Sequence, residues 1–236
     1  MGLHRAGMRL VLTVGVVAAL VQPLSGDLSA KSVAERQPLK LAAMEAHFHT
    51  ERGAGLLVGG IPDVERRTVH MGVTVPYMLS VLAFADPEAE VLGLDAFPEE
   101  DWPPVVVCHL AFQLMVGLGM AMAAIGALAG ALRWRRPELL DHPRFLALLA
   151  AATPIGFVAV EAGWVVTEVG RQPWIIYGVM RTEEALTPMP GIQVPLLISL
   201  VVYGTLGVLV AAVLRRQITA AEEREAELAA EDARDG

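Results

Sequence analysis

Cysteine is almost absent from this sequence, which has a single one, Cys108, among its 236 residues. One cysteine cannot form an internal disulfide bond, and the chain has no CxxC or CxxCH motif for zinc binding or covalent haem attachment. Cys108 lies inside an apolar run, where a cysteine usually serves as a small buried hydrophobic residue. The sequence therefore excludes a fold held by internal disulfides.

Motifs for nucleotide binding and zinc-dependent hydrolysis are absent as well. The chain has no P-loop, no GxGxxG sequence and no HExxH sequence. Its formal net charge is −8, which argues against nucleic acid as a partner because nucleic acid is itself negatively charged.

Long hydrophobic runs dominate what is present. Hydrophobic residues make up 54% of the chain and the mean hydropathy is +0.50, whereas soluble domains are about 45–50% apolar even on a broader count. A bilayer core of about 30 Å requires roughly 20 apolar residues in a helix. Three runs meet this requirement: Pro103–Leu132, Phe145–Thr167 and Val194–Leu214. Glu161 is the only Asp, Glu, Lys or Arg within them.

The first apolar run, Leu10–Leu24, permits two interpretations. It is shorter than the others and follows Arg5 and Arg9. A basic start, a short apolar core and small residues at positions 25–30 are typical of a signal peptide. Hydropathy alone therefore leaves a signal peptide and a transmembrane helix as equal alternatives.

A fifth apolar stretch, Met71–Ala85, is short for a span and contains Pro76, so we expect an interfacial or surface-packed helix there. The arginines support this expectation. With four spans, every short basic cluster falls on one side of the membrane, and the positive-inside rule makes that side cytoplasmic. The clusters are Arg5 and Arg9, then Arg133, Arg135, Arg136 and Arg144, then Arg215 and Arg216.

The resulting fold prediction is an all-α integral membrane protein. It is a four-transmembrane-helix bundle with both termini in the cytoplasm and a large, acidic extracytoplasmic loop that contains short helices. We place the first transmembrane helix in residues 1–25, the loop in 26–102, a three-helix transmembrane region in 103–216 and a charged cytoplasmic tail in 217–236. The tail is rich in Ala and Glu, and we expect a solvated helix with no function of its own.

One face of the third span collects unusual residues. Ionisable side chains at membrane depth are costly, so each is a functional candidate. Glu161, Trp164, Glu168 and Arg171 follow one another at intervals of three or four residues, and a continuous helix would place them on one face. Such a stripe could ligate a metal or relay protons. The alternative is an Arg171–Glu168 ion pair at the helix end, with Trp164 as an interfacial anchor.

The second span and the loop offer weaker candidates. The methionines of the second span are Met115, Met120 and Met122. Methionine in a membrane helix usually serves packing, although its thioether can also ligate haem iron and raise the reduction potential. His109 is more typical of a hydrogen-bonded helix residue than of a ligand. Lys40 and Glu45 lie five residues apart in a segment that an ordinary amphipathic surface helix would explain.

Three motifs occur in a definite order along the chain. They are Gln37-Pro-Leu-Lys40-Leu-Ala-Ala-Met-Glu45-Ala, then Gly60-Ile-Pro-Asp63, then Gly163-Trp164-Val-Val-Thr-Glu168-Val-Gly170-Arg171-Gln172-Pro173-Trp174. Together they resemble subunit I of the cytochrome bd-type quinol oxidases, and the last motif, GWxxxExGRQPW, is highly specific. The resemblance runs from about His4 to Arg216. It implies that Leu10–Leu24 is a transmembrane helix, and that the first motif opens a quinol-binding loop (the Q-loop) of the short type.

The resemblance also implies roles for single residues. Met115 matches the axial methionine of the low-spin haem b558, and Glu168 matches the carboxylate ligand of one of two high-spin haems, b595 or d. Lys40 and Glu45 match residues implicated in quinol binding and oxidation. Four further positions are assigned to the haem pocket: Trp164, Arg171, Gln113, which stands where some members have Arg near a haem propionate, and Glu161.

The first five helices of that family have no counterpart in this sequence. In the family they carry the histidine ligands of haem b558 and of a high-spin haem. His109 cannot substitute, because two ligands on one straight helix cannot reach opposite faces of one haem. We therefore expect half of a quinol oxidase that reduces oxygen in the bacterial plasma membrane, inactive alone and completed by a separate N-terminal half and by oxidase subunit II. The alternative is a truncated, non-catalytic membrane protein with residual quinone or haem binding.

Overall fold

The computed structural model describes residues 2–186 and 190–235. Within these ranges the helices are α1 (Gly2–Arg36), α2 (Pro38–Glu45), α3 (Met78–Phe84), α4 (Val105–Arg135), α5 (Pro143–Val169) and α6 (Gln193–Asp235). The strands are β1 (Glu51–Arg52), β2 (Leu56–Val58), β3 (Ile61–Asp63), β4 (Thr68–His70), β5 (Val73–Val75), β6 (Glu90–Val91), β7 (Trp174–Ile176) and β8 (Met180–Arg181). The chain divides into two compact units, Met1–Ala185 and Leu186–Gly236.

Four of the described helices are long and apolar enough to cross a membrane. Their apolar segments are Leu10–Arg36, Val105–Arg135, Pro143–Val169 and Gln193–Ala220. The three longer runs of the sequence coincide with α4, α5 and the first half of α6. α4 begins just after Pro103, α5 contains its run, and α6 continues well past Leu214 to Asp235. The prediction of a mainly helical, multi-pass membrane protein with four spans is confirmed.

α1 extends well beyond the apolar run that predicts it. The helix continues past Leu24 to Arg36, with Pro23 inside it. Its polar end is supported by an ion pair between Lys31 Nζ and Asp27 Oδ2 at 2.6 Å, one helical turn apart. α2 then begins directly, with Pro38 at its first position, where a missing N–H costs nothing.

The stretch Met71–Ala85, predicted as one helix, contains both a strand and a helix. Val73–Val75 forms β5 and pairs with β2, so the expectation of one helix over Met71–Ala85 is wrong in its first half. Pro76 cannot continue a ladder of backbone hydrogen bonds, and Tyr77 adopts a positive φ of 63° that precedes the short helix α3. As predicted, this stretch is not among the candidate spans.

Short antiparallel strand pairs shape the rest of the long loop between α1 and α4. β1 pairs with β6, β2 with β5, and β3 with β4. After α5, β7 pairs with β8 to form a further hairpin. Each pair has only two or three residues on a strand, so no extended sheet supports the described part of the loop, whose α3 packs on α1 and whose β3 packs on α4.

The membrane helices of the first unit meet through glycine and alanine. A Cβ added to Gly126 of α4 would lie 3.1 Å from the Ala19 Cβ of α1. Small residues at such crossings let helix backbones approach closely, which is how membrane helices gain packing energy. α4 and α5 are joined by the 3₁₀ turn Pro137–Asp141, and the His142 side chain caps α5 by accepting from the Arg144 N–H at 3.2 Å.

α6 is described by itself as a single helix of 43 residues. Its apolar span and the Ala- and Glu-rich tail are continuous, which confirms that the tail is helical up to Asp235.

Candidate functional site

α2, the helix that opens the loop, is buried on almost every side. Six of its eight residues are buried. Leu39 and Ala43 belong to a hydrophobic cluster that also contains Cys108 of α4 and Val166 of α5. The segment is therefore an interior helix, not the amphipathic surface helix that would have explained its sequence.

Lys40 of α2 meets the end of α5 at Gly170. A Cβ added to Gly170 would lie 2.9 Å from Cys108 Sγ and 3.4 Å from Lys40 Cε. Lys40 Nζ also donates a long hydrogen bond of 3.5 Å to the Thr167 carbonyl oxygen. The glycine of the GRQPW sequence thus makes room for the lysine of the first motif, 130 positions earlier in the chain.

A cavity of about 390 Å³ lies where α2 begins and α5 ends. Its polar and aromatic lining residues are Gln37, Lys40, Thr167, Arg171, Gln172, Trp174 and Tyr177. A volume of this order suits a single ring-sized head group. The first and third sequence motifs therefore meet in one concave site.

Hydrogen-bond donors converge on this cavity. Lys40 is half-buried, and burial lowers the pKa of its ammonium group, an effect that the Arg171 cation reinforces and the Glu168 carboxylate opposes. Trp174 Nε1 is buried and has no hydrogen-bond partner within residues 2–186 and 190–235. A ligand with oxygen acceptors could bind to the Lys40 and Arg171 cations that line the cavity.

The β7–β8 hairpin holds Trp174 in this position. The Arg181 guanidinium lies 4.9 Å from the Trp174 ring centroid and forms an ion pair with Asp101 of the loop. Tyr177 meets the same indole edge-to-face at 6.2 Å. Burial, with the nearby Asp101 carboxylate, raises the pKa of the Tyr177 hydroxyl, so this hydroxyl stays protonated.

Three members of the predicted stripe lie on α5 and face outward, whereas Arg171 lies beyond the helix, which ends at Val169. Glu161, Trp164 and Glu168 are all exposed, Trp164 at 64%. Arg171 Nη2 lies 3.4 Å from Glu168 Oε1, so the predicted ion pair at the helix end is present. Carboxylates on the open face of a membrane helix are costly against lipid, so protein or a bound group is needed to cover this face.

Met115 of α4 reaches the base of that stripe. Its Sδ lies 3.0 Å from the place of a Cβ on Gly163, the residue before Trp164. One heptad away, Met122 makes a looser contact with Gly156, whose added Cβ would be 3.6 Å from Met122 Cε. The two contacts show that α4 and α5 pack antiparallel, with methionine against glycine.

His109 and Gln113 fasten the loop to α4. The His109 ring is fully buried, with Nδ1 2.8 Å from the Met44 carbonyl oxygen and Nε2 3.4 Å from that of Gly59. Gln113 donates from Nε2 to the Leu57 carbonyl oxygen and accepts from the Gly59 N–H, both at 3.0 Å. The expectation of a hydrogen-bonded His109 is confirmed, whereas a role for Gln113 beside a haem propionate stays a prediction.

Glu45 lies away from the cavity and in different surroundings. It is 5% exposed, and Oε2 has no hydrogen-bond partner in the described part of the chain. Burial raises the pKa of this carboxyl group to about 8. The structure thus brings Lys40 together with Glu168 and Arg171, but it does not place Glu45 in the cavity lining.

Three contributors to the site were not selected from the sequence. Gly163 and Gly170 provide the close approaches, and Trp174 provides the unpaired donor. All three stand in the GWxxxExGRQPW motif, so the motif itself contained the signal, but only the fold shows which partners they meet.

These features define a multi-pass membrane protein in which two sequence motifs converge on a cavity. The model of the family described as cytochrome bd terminal oxidase subunit I matches residues 1–222, and the chain belongs to this family. It is 36% identical over 215 residues to the putative cytochrome bd menaquinol oxidase subunit I of Bacillus subtilis (strain 168), covering 89% of this chain and 47% of that protein. It is 31% identical to the cytochrome bd ubiquinol oxidase subunit 1 of the same organism, with the same coverage.

A solved structure is also similar. The bd oxidase from Geobacillus thermodenitrificans matches with a TM-score of 0.79 and 36% identity, covering 90% of this chain and 49% of that one. The chain therefore spans about half the length of the relatives it matches.

Proposed function

We propose that this chain is a component of a cytochrome bd-type quinol:oxygen oxidoreductase and provides its quinol-oxidising loop and haem ligands. The observation that carries the proposal is the cavity in which Lys40 of α2 meets Arg171 and Trp174. A quinol-oxidising site needs a concave, partly apolar space with a few directed polar groups, and this cavity has both.

In this proposal the quinol head group occupies the cavity beside Lys40. The Lys40 ammonium group donates to one of its oxygens, and the Trp174 ring lines the space beside it. Oxidation of a quinol releases two electrons and two protons. Glu45 does not line the cavity, so a quinol proton would reach it through water, and its pKa of about 8 lies near the working pH of a general base.

The exposed stripe on α5 fits haem. Met115 would hold low-spin haem b558, Glu168 would ligate the high-spin haem b595 or d, and Trp164 and Glu161 would line the pocket. Arg171 would pair with a propionate, since guanidinium groups bind carboxylates well. Haem, when bound, accepts electrons and supports oxygen reduction. The histidine opposite Met115 would come from a segment outside this sequence, because both ring nitrogens of His109 contact loop carbonyl groups.

The proposed setting is the bacterial plasma membrane. The loop between α1 and α4 faces outward, and both termini are cytoplasmic. Oxidase subunit II and the remaining helices of subunit I would complete the enzyme. The chain alone would then be inactive.

The test is the reduced-minus-oxidised absorbance spectrum of membranes that contain the full chain, with and without the candidate N-terminal helices. We expect low-spin b and haem d bands only when both are present. Met115→Ala should then abolish the low-spin band, because the thioether ligand is lost. Met122→Ala is the matched control, since Met122 makes the equivalent contact with α5 one heptad away, and it should keep the band.

Two results would contradict the proposal. One is the absence of any haem band despite confirmed expression of both parts. It would favour the alternative of a non-catalytic membrane protein. The other is a low-spin band that survives Met115→Ala.

A further inference from the structure

Two buried polar atoms lie unpaired at the end of α2. They are Glu45 Oε2 and His47 Nε2, and neither has a hydrogen-bond partner within the described ranges 2–186 and 190–235. Leaving such atoms unpaired costs free energy, so their retention calls for an explanation. The residues are two apart, which keeps their Cα atoms within about 7.6 Å of each other. The two atoms have no direct hydrogen bond to each other, and this separation is within the reach of a bridging water.

The backbone fixes the place of the His47 ring from both sides. The His47 N–H donates to the Ala42 carbonyl oxygen at 2.8 Å, which closes the end of α2, and the His47 carbonyl oxygen accepts from the Leu94 N–H at 2.9 Å. Ala46 adopts the left-handed conformation that turns the chain here. Gly93 packs so tightly that an added Cβ would lie 2.4 Å from the His49 carbonyl carbon. The turn is therefore held in one conformation by backbone hydrogen bonds and close packing.

The turn leads from the protein interior to its surface. Glu45 is 5% exposed, and the Nε2 atom of His47 is buried. Two residues further on, the His49 side chain is 67% exposed, with Nδ1 3.4 Å from Asp95 Oδ2. Asp95 also accepts from the hydroxyl and N–H of Thr50. Titratable side chains thus occupy alternate positions, 45, 47 and 49, from the core outward.

Charged groups of the loop surround the His47 ring on its solvent side. Burial lowers the pKa of the His47 ring, while the Glu51 carboxylate of β1, the Val91 carbonyl group of β6 and the Asp95 carboxylate oppose that effect, and His49 adds to it. The ring is therefore neutral at neutral pH and can accept a proton at Nε2. Both carboxylates attract that proton from the solvent side.

We propose that His47 is the proton carrier that links Glu45 to the outer surface of the loop at His49 and Asp95. This inference rests on the proposed quinol oxidation. Glu45, which holds its proton at neutral pH, first passes it to His47 Nε2, and the imidazolium releases a proton to water beside Asp95. The Glu45 carboxylate then receives the proton of the quinol O–H bond through water, because Glu45 does not line the cavity. Two such passages, with two electrons taken up by ferric haem of the oxidase, convert quinol to quinone.

The test compares His47→Gln with His70→Gln in membranes containing the assembled oxidase. His70 lies on β4, is 56% exposed and pairs with Asp63 at 3.5 Å. It is therefore a histidine of the same loop that takes no part in the proposed proton transfer, and His70→Gln controls for the loss of a histidine. We expect quinol-driven haem reduction to slow at least about tenfold in His47→Gln at neutral pH, since a positioned proton acceptor contributes this much or more. Added imidazole buffer should restore the rate, and haem bands should stay unchanged. His70→Gln should behave as the unmodified chain in every measurement.

Other results would contradict either the proton relay or the proposed function. A His47→Gln rate equal to that of the unmodified chain at every pH overturns the relay, and so does a slow rate that imidazole does not restore. If His47→Gln lowers the haem bands, the same comparison is made with His47→Asn, which keeps a smaller polar side chain. If the unmodified assembly shows haem bands but is not reduced by quinol, the proposed function fails independently of His47.

Discussion

At the scale of single residues, Glu45 has the clearest consequence. Burial raises the pKa of its carboxyl group from 4.5 to about 8, so the folded protein holds this proton more tightly than the unfolded chain. Between those two pH values the unfolded chain ionises first and the folded state loses stability as the pH rises. The free energy of unfolding should fall by up to about 1.4 kcal/mol per pH unit in this window and level off above pH 8.

Thermal unfolding of the chain in detergent across this pH window measures the effect. Glu45→Gln keeps the shape but removes the titration, so its unfolding midpoint should depend less on pH than that of the unmodified chain. Glu88→Gln is the control, because Glu88 is exposed in the loop, and it should leave the pH dependence unchanged. Equal pH dependence in the unmodified chain and Glu45→Gln would contradict a buried neutral carboxyl group.

The sequence was sufficient to select the candidate site residues, but not to predict their contacts or their burial. Lys40 and Arg171 stand in motifs that can be read directly, yet their meeting in one cavity depends on Gly170 lacking a side chain. Such a contact joins positions more than a hundred residues apart, and no local pattern records it. The burial of Glu45 is equally non-local, because it requires α2 to be covered by the loop and by α4.

At the scale of helices, the contact between α4 and α5 depends on two glycines that differ in tightness. An alanine at Gly163 would place its Cβ 3.0 Å from Met115 Sδ and displace the thioether, whereas an alanine at Gly156 would meet Met122 at an ordinary 3.6 Å. In the assembled oxidase we expect Gly163→Ala to shift or weaken the low-spin haem band. Gly156→Ala should preserve it. Identical spectra for the two variants would mean that Gly163 does not set the position of Met115.

The helices were predictable to the extent that their signal is local. Hydropathy located α4, α5 and α6 because each apolar run is long and nearly uncharged. The polar end of α1, up to Arg36, carries no apolar signal and is missed by the same criterion. The strands β2 and β5 are equally invisible, since each has three residues and exists only through pairing with the other.

At the scale of the whole molecule, the arrangement of charge predicts how the chain lies in the membrane. The α4–α5 connection is flanked by Arg133, Arg135, Arg136 and Arg144, whereas the loop between α1 and α4 is acidic. The positive-inside rule then places the connection in the cytoplasm and the loop outside. The proposed quinol site belongs to the loop side, so this orientation also determines where protons are released.

Cysteine labelling in intact cells tests this orientation. The single native cysteine, Cys108, is fully buried, so Cys108→Ser gives a clean background for Glu88→Cys in the loop and Glu138→Cys in the α4–α5 connection. Both glutamates are exposed, which makes the two positions comparable. A membrane-impermeant maleimide should label Glu88→Cys in intact cells and Glu138→Cys only after the inner membrane is opened. The reverse pattern would place the basic connection outside, and proton release from the loop would then occur in the cytoplasm and build no gradient.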